Sequence, residues 1–174
     1  MTRRPRVYVA GPISKGDVAM MASVIFLDFD GVVLCERAYR RGRVNGQLVP
    51  EPSCVAALNR ITRESGAQIV VSSTWRMFGE AKVRALLAEW GVEAEVIGIT
   101  PDLSHRPPRG VEIQTWLARN PSPRSFVILD DDKDMGHLLP YLVRTSFSSG
   151  LTEADADRAI AILNRVPPSQ RGTR

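Results

Sequence analysis

Four apolar residues, Val24-Ile25-Phe26-Leu27, run without interruption into Asp28-Phe29-Asp30-Gly31. A short continuous apolar run that stops at a turn signal reads as a strand covered on both faces, as in a parallel sheet. Such strands deliver their ligand-binding residues just beyond their carboxyl ends. Asp28 falls at that end, and Asp30 lies one step into the following loop. Two carboxylates this close repel each other unless a cation or a shared proton relieves the charge. The alternative is an Asx-type turn in which Asp and Gly serve only the backbone. The remainder of the chain decides between the two.

Two further strands end in the same manner. Gln68-Ile69-Val70-Val71 runs into Ser72-Ser73-Thr74-Trp75-Arg76, and Phe126-Val127-Ile128-Leu129 runs into Asp130-Asp131-Asp132-Lys133-Asp134. Between and after them the pattern alternates. Pro52-Ser53 opens a helix with apolar Val55, Leu58 and Ile61 that stops at Gly66. Gly79 to Trp90 forms an amphipathic helix through Val83, Leu86 and Leu87, and Glu95 to Ile99 forms a strand. A helix covers Val111 to Ala118, a short strand Leu142 to Thr145, and Thr152 N-caps a last helix reaching about Asn164. This alternation predicts an α/β fold: a doubly wound, mostly parallel, five-stranded Rossmann-like sheet. In such a sheet Asp28/Asp30, Ser72/Ser73 and Asp130/Asp131 share one edge, although the outer clusters lie about a hundred residues apart in sequence.

With 174 residues, 44% of them hydrophobic and 24% charged, the chain suits one soluble domain with a substantial core. No apolar run is long enough to span a bilayer, and the stretch after Arg3, Arg4 and Arg6 is broken by Gly11-Pro12 and too short for a signal peptide. Cys35 and Cys54 have no metal-ligand spacing and read as free thiols of a reducing, cytoplasmic compartment. The net charge of +4, almost all from arginine, fits an anionic substrate and equally an arginine-biased composition. Residues 23–166 form the expected domain. Residues 1–22 read as an arm or edge strand, and 167–174 as a disordered tail. Residues 35–50 carry Arg37, Arg40, Arg41 and Arg43 with a hairpin signal at Asn45-Gly46, either a small basic flap over the site or a solvated loop.

Phosphoryl transfer to a carboxylate needs a nucleophile, a cation, donors to the phosphate oxygens and an acid for the leaving oxygen. Asp28 can attack, and Asp30 can protonate the leaving group and later take a proton from water. Asp28, Asp130 and Asp131, with Asp30 contributing through a backbone carbonyl, can hold a hard cation such as Mg²⁺. Ser72 or Ser73 can donate to phosphate, and Arg109 can offset charge and tether Asp130.

Asp28-Phe29-Asp30-Gly31, Val70-Val71-Ser72 and Leu129-Asp130-Asp131 resemble the first, second and fourth motifs of the haloacid dehalogenase-like (HAD) superfamily of phosphohydrolases. The resemblance spans Val24 to about Asn164. It implies an Mg²⁺-dependent phosphatase working through an aspartyl-phosphate, with Asp28, Asp30, Ser72 and Arg109 catalytic. Arg109 stands where the superfamily usually carries a lysine. Ser72-Ser73-Thr74-Trp75-Arg76, Arg109-Gly110-Val111-Glu112-Ile113 and Ile128-Leu129-Asp130-Asp131-Asp132 are similar to the small HAD domains of RNA-repair proteins and to the phosphatase half of polynucleotide kinase-phosphatase. That similarity implies RNA or DNA ends, or nucleotides, as substrates, bound by Ser73, Thr74 and Arg76. Trp75 then either stacks on a base or packs as an aromatic wedge. The gaps between motifs leave little or no room for a cap domain.

Several residues take plainer readings. Residues 7–17 resemble the opening strand of nucleoside deoxyribosyltransferases, but nothing that follows continues that pattern. His105 and His137 read as surface or capping residues; Asp132 and Asp134 either tune the cation site or, the favoured reading, cap the helix after them. Two rival functions stand beside the nucleic-acid phosphatase: a small-metabolite phosphatase, separated by its substrate range, and a non-catalytic HAD-like binding module, separated by turnover of a generic phosphate ester.

Overall fold

The apolar runs build one sheet in the computed structural model, which describes residues 22–103, 105, 107–120 and 123–165. Strands β1 (Val24–Leu27), β4 (Gln68–Val71), β5 (Val96–Ile99), β6 (Phe126–Asp130) and β7 (Leu142–Arg144) pair in parallel in the order β5-β4-β1-β6-β7. The chain winds outward from β1 through β4 to β5, crosses back, and continues through β6 to β7. The reversal therefore falls between β1 and β6, the crevice where doubly wound sheets bind ligands. Leu27 is in register with Val71 on one side and Leu129 on the other. The next residues are Asp28, Ser72 and Asp130, so the three clusters emerge level with one another. Backbone bonds carry the alignment one step further: Ser72 N donates to Leu27 O at 2.9 Å and Asp28 N to Leu129 O at 3.0 Å.

Side chains alternate across β1, so Ile25 and Leu27 join one core while Val24 and Phe26 join the other. Helices α2 (Pro52–Ser65), α3 (Glu80–Glu89) and α5 (Glu153–Leu163) cover the first face. Helix α4 (Arg109–Arg119) and the 3-10 helix Gly136–Tyr141 cover the second, where Phe26 meets Trp116 edge-on at 5.4 Å. Each fully buried large apolar side chain contributes about 1.5–3 kcal/mol. β1 is buried throughout, which places its end at the best-anchored point of the sheet.

Between β1 and α2 lie only a short helix, α1 (Glu36–Arg41), and the hairpin β2 (Arg43–Val44) and β3 (Gln47–Leu48). Asn45 and Gly46 turn the hairpin with φ of 50° and 81°, the positive angles a two-residue turn requires. This flap is a short helix, in contact with Asp30 through Tyr39, and a largely exposed hairpin. Helix α1 has no apolar stripe to announce it; only Ala38 is buried. Tertiary contacts hold it instead: Glu36 N donates to Phe147 O at 2.8 Å, and Arg41 pairs with Glu51 at 2.6 Å. Of the described helices none is long and apolar enough to cross a membrane. The readings made on residues 1–21, including the segment 7–17, and on the tail 167–174 lie outside the described residues.

Candidate active site

Beyond β1 the chain folds into one tight turn, with Val32, Val33 and Leu34 all donating backbone N–H groups to Phe29 O. Gly31 sits in it at φ +72°, and a Cβ there would lie 2.3 Å from the Asp131 carboxylate. The glycine thus lets the loop after β6 close against the loop after β1. Thr145 Oγ1 ties the same turn down, donating to Gly31 O at 2.8 Å.

One carboxylate oxygen each from Asp28, Asp130 and Asp131 lies within 4.8 Å of the others. Asp28 and Asp130 are buried, and Asp131 is half-buried. Burial pushes the Asp28 carboxyl above its ordinary value, and the nearby Asp30 charge adds to this; Arg109, the Ser73 side chain and the Phe29 N–H oppose it. Asp130 is pushed up to about 7, first by burial and then by the charge of Asp28. Asp131 rises by burial and by Asp28 and Asp132. Burial lifts all three carboxyls and the Asp28 charge lifts the other two, an arrangement a cation relieves. Asp130 Oδ2 is buried and has no hydrogen-bond partner among the described residues, while its Oδ1 accepts from Asp132 N at 2.9 Å. An orphaned buried carboxylate oxygen facing two other carboxylates fits a hard divalent ion that prefers oxygen ligands.

Arg109 reaches across from α4 to this group. It donates to Ser72 O and stands 3.5 Å from Asp28 Oδ1 and 4.0 Å from Asp130 Oδ2. Asp134 Oδ2 accepts from Arg109 N at 2.8 Å, so Asp134 caps the start of α4, the helix before it in sequence and not the one after. Gly110 permits that contact, since a Cβ there would meet Met135 O at 2.4 Å.

A family model described as the HAD domain in Swiss Army Knife RNA repair proteins matches residues 24–156. The chain belongs to that family. This HAD domain also shares its fold with a solved HAD domain, that of effector protein Lem4 from Legionella pneumophila. The TM-score is 0.54 at 15% sequence identity, over 83% of this chain and 96% of that one. No curated protein matches the chain in sequence. Family membership brings a HAD-type, phosphatase-like character with it.

Within the HAD domain the predicted site residues divide. Asp28, Asp130, Asp131 and Arg109 converge as described. Ser72 and Ser73 are fully buried at the end of β4. Ser72 Oγ is unpartnered among the described residues, and Ser73 Oγ accepts from Trp75 N at 3.4 Å, capping the 3-10 helix Thr74–Phe78. Thr74 and Arg109 border a cleft of about 440 Å³ together with Arg76, Asp102, Glu112 and Asp134.

Asp30 and Arg76 make contacts that the sequence does not announce. The Asp30 carboxylate stands outside the metal-compatible group. Its oxygens are taken by Tyr39 Oη from α1 and by Trp75 Nε1 at 3.1 Å, which places the carboxylate as an acid; the expected contribution to a cation is that of the Asp30 backbone carbonyl. Arg76, expected at the substrate, is 9% exposed and bound inward. Its Nη1 donates to Ser72 O and Ser73 O, both at 3.1 Å, and its Nη2 pairs with Glu112 Oε1 at 2.5 Å. The carbonyls just past β4 have no further strand to pair with, and the Arg76 guanidinium takes both, beside Arg109 on Ser72 O and the Arg76 N–H on Ser73 O.

Trp75 proves to be both wedge and handle. It packs against Phe29 and Trp90 at 6.0 Å while its indole edge holds Asp30. Tyr39, Glu112 and Thr145 are the site residues that the sequence reading missed. Glu112 alone had a signal, a carboxylate on the buried face of α4. His105 and His137 join none of these groups.

Proposed function

We propose that this HAD domain is an Mg²⁺-dependent phosphomonoesterase that forms an aspartyl-phosphate on Asp28 and acts on the ends of nucleic acids. The observation that carries it is the convergence of Asp28, Asp130 and Asp131 with Arg109 at the sheet's switch point. Asp28, Asp130 and Asp131 would hold the ion, which when bound neutralises charge on the phosphate and on the three carboxylates. One Asp28 oxygen attacks phosphorus, the bond from phosphorus to the leaving oxygen breaks, and Asp30 gives that oxygen its proton. Asp30 then takes a proton from water, the water oxygen attacks phosphorus, and inorganic phosphate leaves with Asp28 restored. Arg109, held by Ser72 O, supplies fixed positive charge beside the group that transfers. Nucleic-acid ends are supported by the RNA-repair setting of the family, by the net charge of +4 and by a cover no larger than α1 and one hairpin. The free cysteines Cys35 and Cys54 suit work in the cytoplasm.

A panel of a generic aryl phosphate, mononucleotides and 3′- or 5′-phosphorylated oligonucleotides tests the reading. Turnover of phosphorylated oligonucleotides that stops in excess chelator is the expected result. Turnover of mononucleotides alone would favour the small-metabolite rival, and no turnover of any ester would leave a binding module.

Thermal unfolding gives a check that does not depend on turnover. In the metal-free protein the folded state keeps the Asp130 proton up to about pH 7, whereas the unfolded chain releases it near 3.8. That contribution to stability is full below the lower value and is lost as pH rises through the upper one. A cation binding the ionised cluster restores it, so millimolar Mg²⁺ raises Tm by several degrees at about pH 8 and little at about pH 5. Gly31→Ala, whose Cβ displaces Asp131, flattens that difference. An Mg²⁺ effect equal at both pH values would remove the cluster as the binding site.

The acid role of Asp30 has its own test. Tyr39→Phe removes one of its two donors and lowers kcat about tenfold for an alkyl phosphate, whose poor leaving group needs the proton. An aryl phosphate should be affected much less. Equal losses on both esters would count against Asp30 as the acid.

A further inference from the structure

Trp75 has a second side. Its indole edge holds Asp30, and its ring forms one wall of a groove of about 230 Å³ between the flap hairpin and α3. Leu48, Phe78 and Leu86 supply the other walls, with Arg43 and Lys82 at the rim. The volume lies below the roughly 300–1,000 Å³ of pockets for drug-sized ligands, which suits one flat ring system. Phe78 stands edge-on to Trp75 at 5.9 Å and 69°, and remains 61% exposed. The two rings make an open aromatic corner.

Charge separates this groove from the cleft on the other flank. That cleft is bordered by Asp102, Glu112 and Asp134, and its cations are already engaged: Arg76 with Glu112, and Arg109 with Ser72 O and Asp28. With three carboxylates against two engaged cations, it is the less favourable flank for the rest of a polyanion beyond the phosphate at Arg109. The groove has no carboxylate in its lining, and neither Arg43, whose Nη1 donates to Gly46 O at 2.8 Å, nor Lys82 forms an ion pair among the described residues. The side of the site where Asp30 protonates the departing oxygen is thus the side that is aromatic and cationic.

We infer that the groove over Trp75 and Phe78 is the leaving-group subsite for a single-stranded nucleic-acid end: it takes the terminal base on the aromatic corner while Arg43 and Lys82 meet the next backbone phosphate. The inference rests on the phosphomonoesterase reading, because it places the base by where Asp30 acts. Base-on-aromatic stacking tolerates any sequence, and cations tracking the backbone make binding salt-dependent. The subsite therefore selects for a single strand and not for a particular base.

The test is direct binding of a short unphosphorylated single strand to the full chain, read by fluorescence anisotropy across a salt series. Phe78→Ala with Lys82→Ala is the variant; both side chains are exposed, so the fold bears the change. The expected result is a loss of about tenfold or more in affinity, the scale of one stacked base, with a shallower salt slope. A strand ending in a photoreactive iodouracil should crosslink to Trp75 or Phe78. Unchanged affinity, a crosslink elsewhere, or a self-association that the variant abolishes while strand binding persists would each overturn the inference. The last outcome would give the groove to a second copy of the chain. Absence of turnover on every ester, with binding and crosslink intact, would instead sink the phosphatase reading and leave the groove as a binding site.

Discussion

On the proposed mechanism Asp28→Asn is expected to lose at least about 10⁴-fold in turnover, because a carboxamide is too weak a nucleophile to take the phosphoryl group. The same change should not unfold the protein. In the metal-free state it removes a carboxylate whose charge raises the pKa of Asp130 and Asp131, and Arg109 keeps Asp130 at 4.0 Å as its partner. The expected pair of readings is an inactive protein whose metal-free Tm equals or exceeds that of the wild type, with a smaller Mg²⁺-induced rise. Steady-state assays beside thermal unfolding check both. Turnover above one part in a hundred would mean that another group attacks phosphorus. A large fall in Tm would mean that Asp28 is chiefly structural.

Glu112→Ala carries the largest expected loss of stability. Glu112 and Arg76 are both buried, with side chains 5% and 8% exposed, and the change leaves the guanidinium only the exposed Asp102 at 3.8 Å as a counter-charge. Breaking such a pair from one side costs about 3–5 kcal/mol. In a chain of this size that lowers Tm by roughly 10 °C. Arg76 also holds the carbonyls of Ser72 and Ser73, so activity should fall at temperatures where the variant is still folded. Glu112→Gln keeps an acceptor and should lose less. Replacing both partners by Met and Leu removes the unpaired charge and should recover part of the loss, though not the bonds to the two carbonyls. Additive effects of the single changes in a double-mutant cycle would show that the pair is not coupled.

These two residues differ in how far they could be read in advance. Asp28 ends an uninterrupted apolar run, and the runs before Ser72 and Asp130 end alike, so a parallel sheet alone predicts that the three meet. The paired registers Leu27–Val71 and Leu27–Leu129 deliver that meeting with no residue out of step. Helices α2 to α5 were legible for the same reason: each buries a stripe with a period the chain displays. Helix α1 and the two 3-10 helices were not. They are short, bury few apolar side chains, and are held by contacts to distant residues such as Phe147.

Arg76 illustrates what motif reading cannot reach. A cation straight after Ser72-Ser73 suggests a phosphate ligand, yet in the fold it satisfies two carbonyls and a carboxylate thirty-six positions away. Trp75 and Tyr39 reverse the case, since neither residue type in its local setting announces a hold on Asp30. Hydrophobic periodicity, turn chemistry and the carboxylates at strand ends are local properties, so the order of residues was enough to specify the sheet and to bring the acidic tips to one edge. Which side chain holds Asp30, which cation is spent inside the protein and which flank is free of carboxylates were settled only by packing. Those outcomes depend on hydrogen bonds and ion pairs across helix and loop contacts, whose geometry no local pattern in the chain encodes.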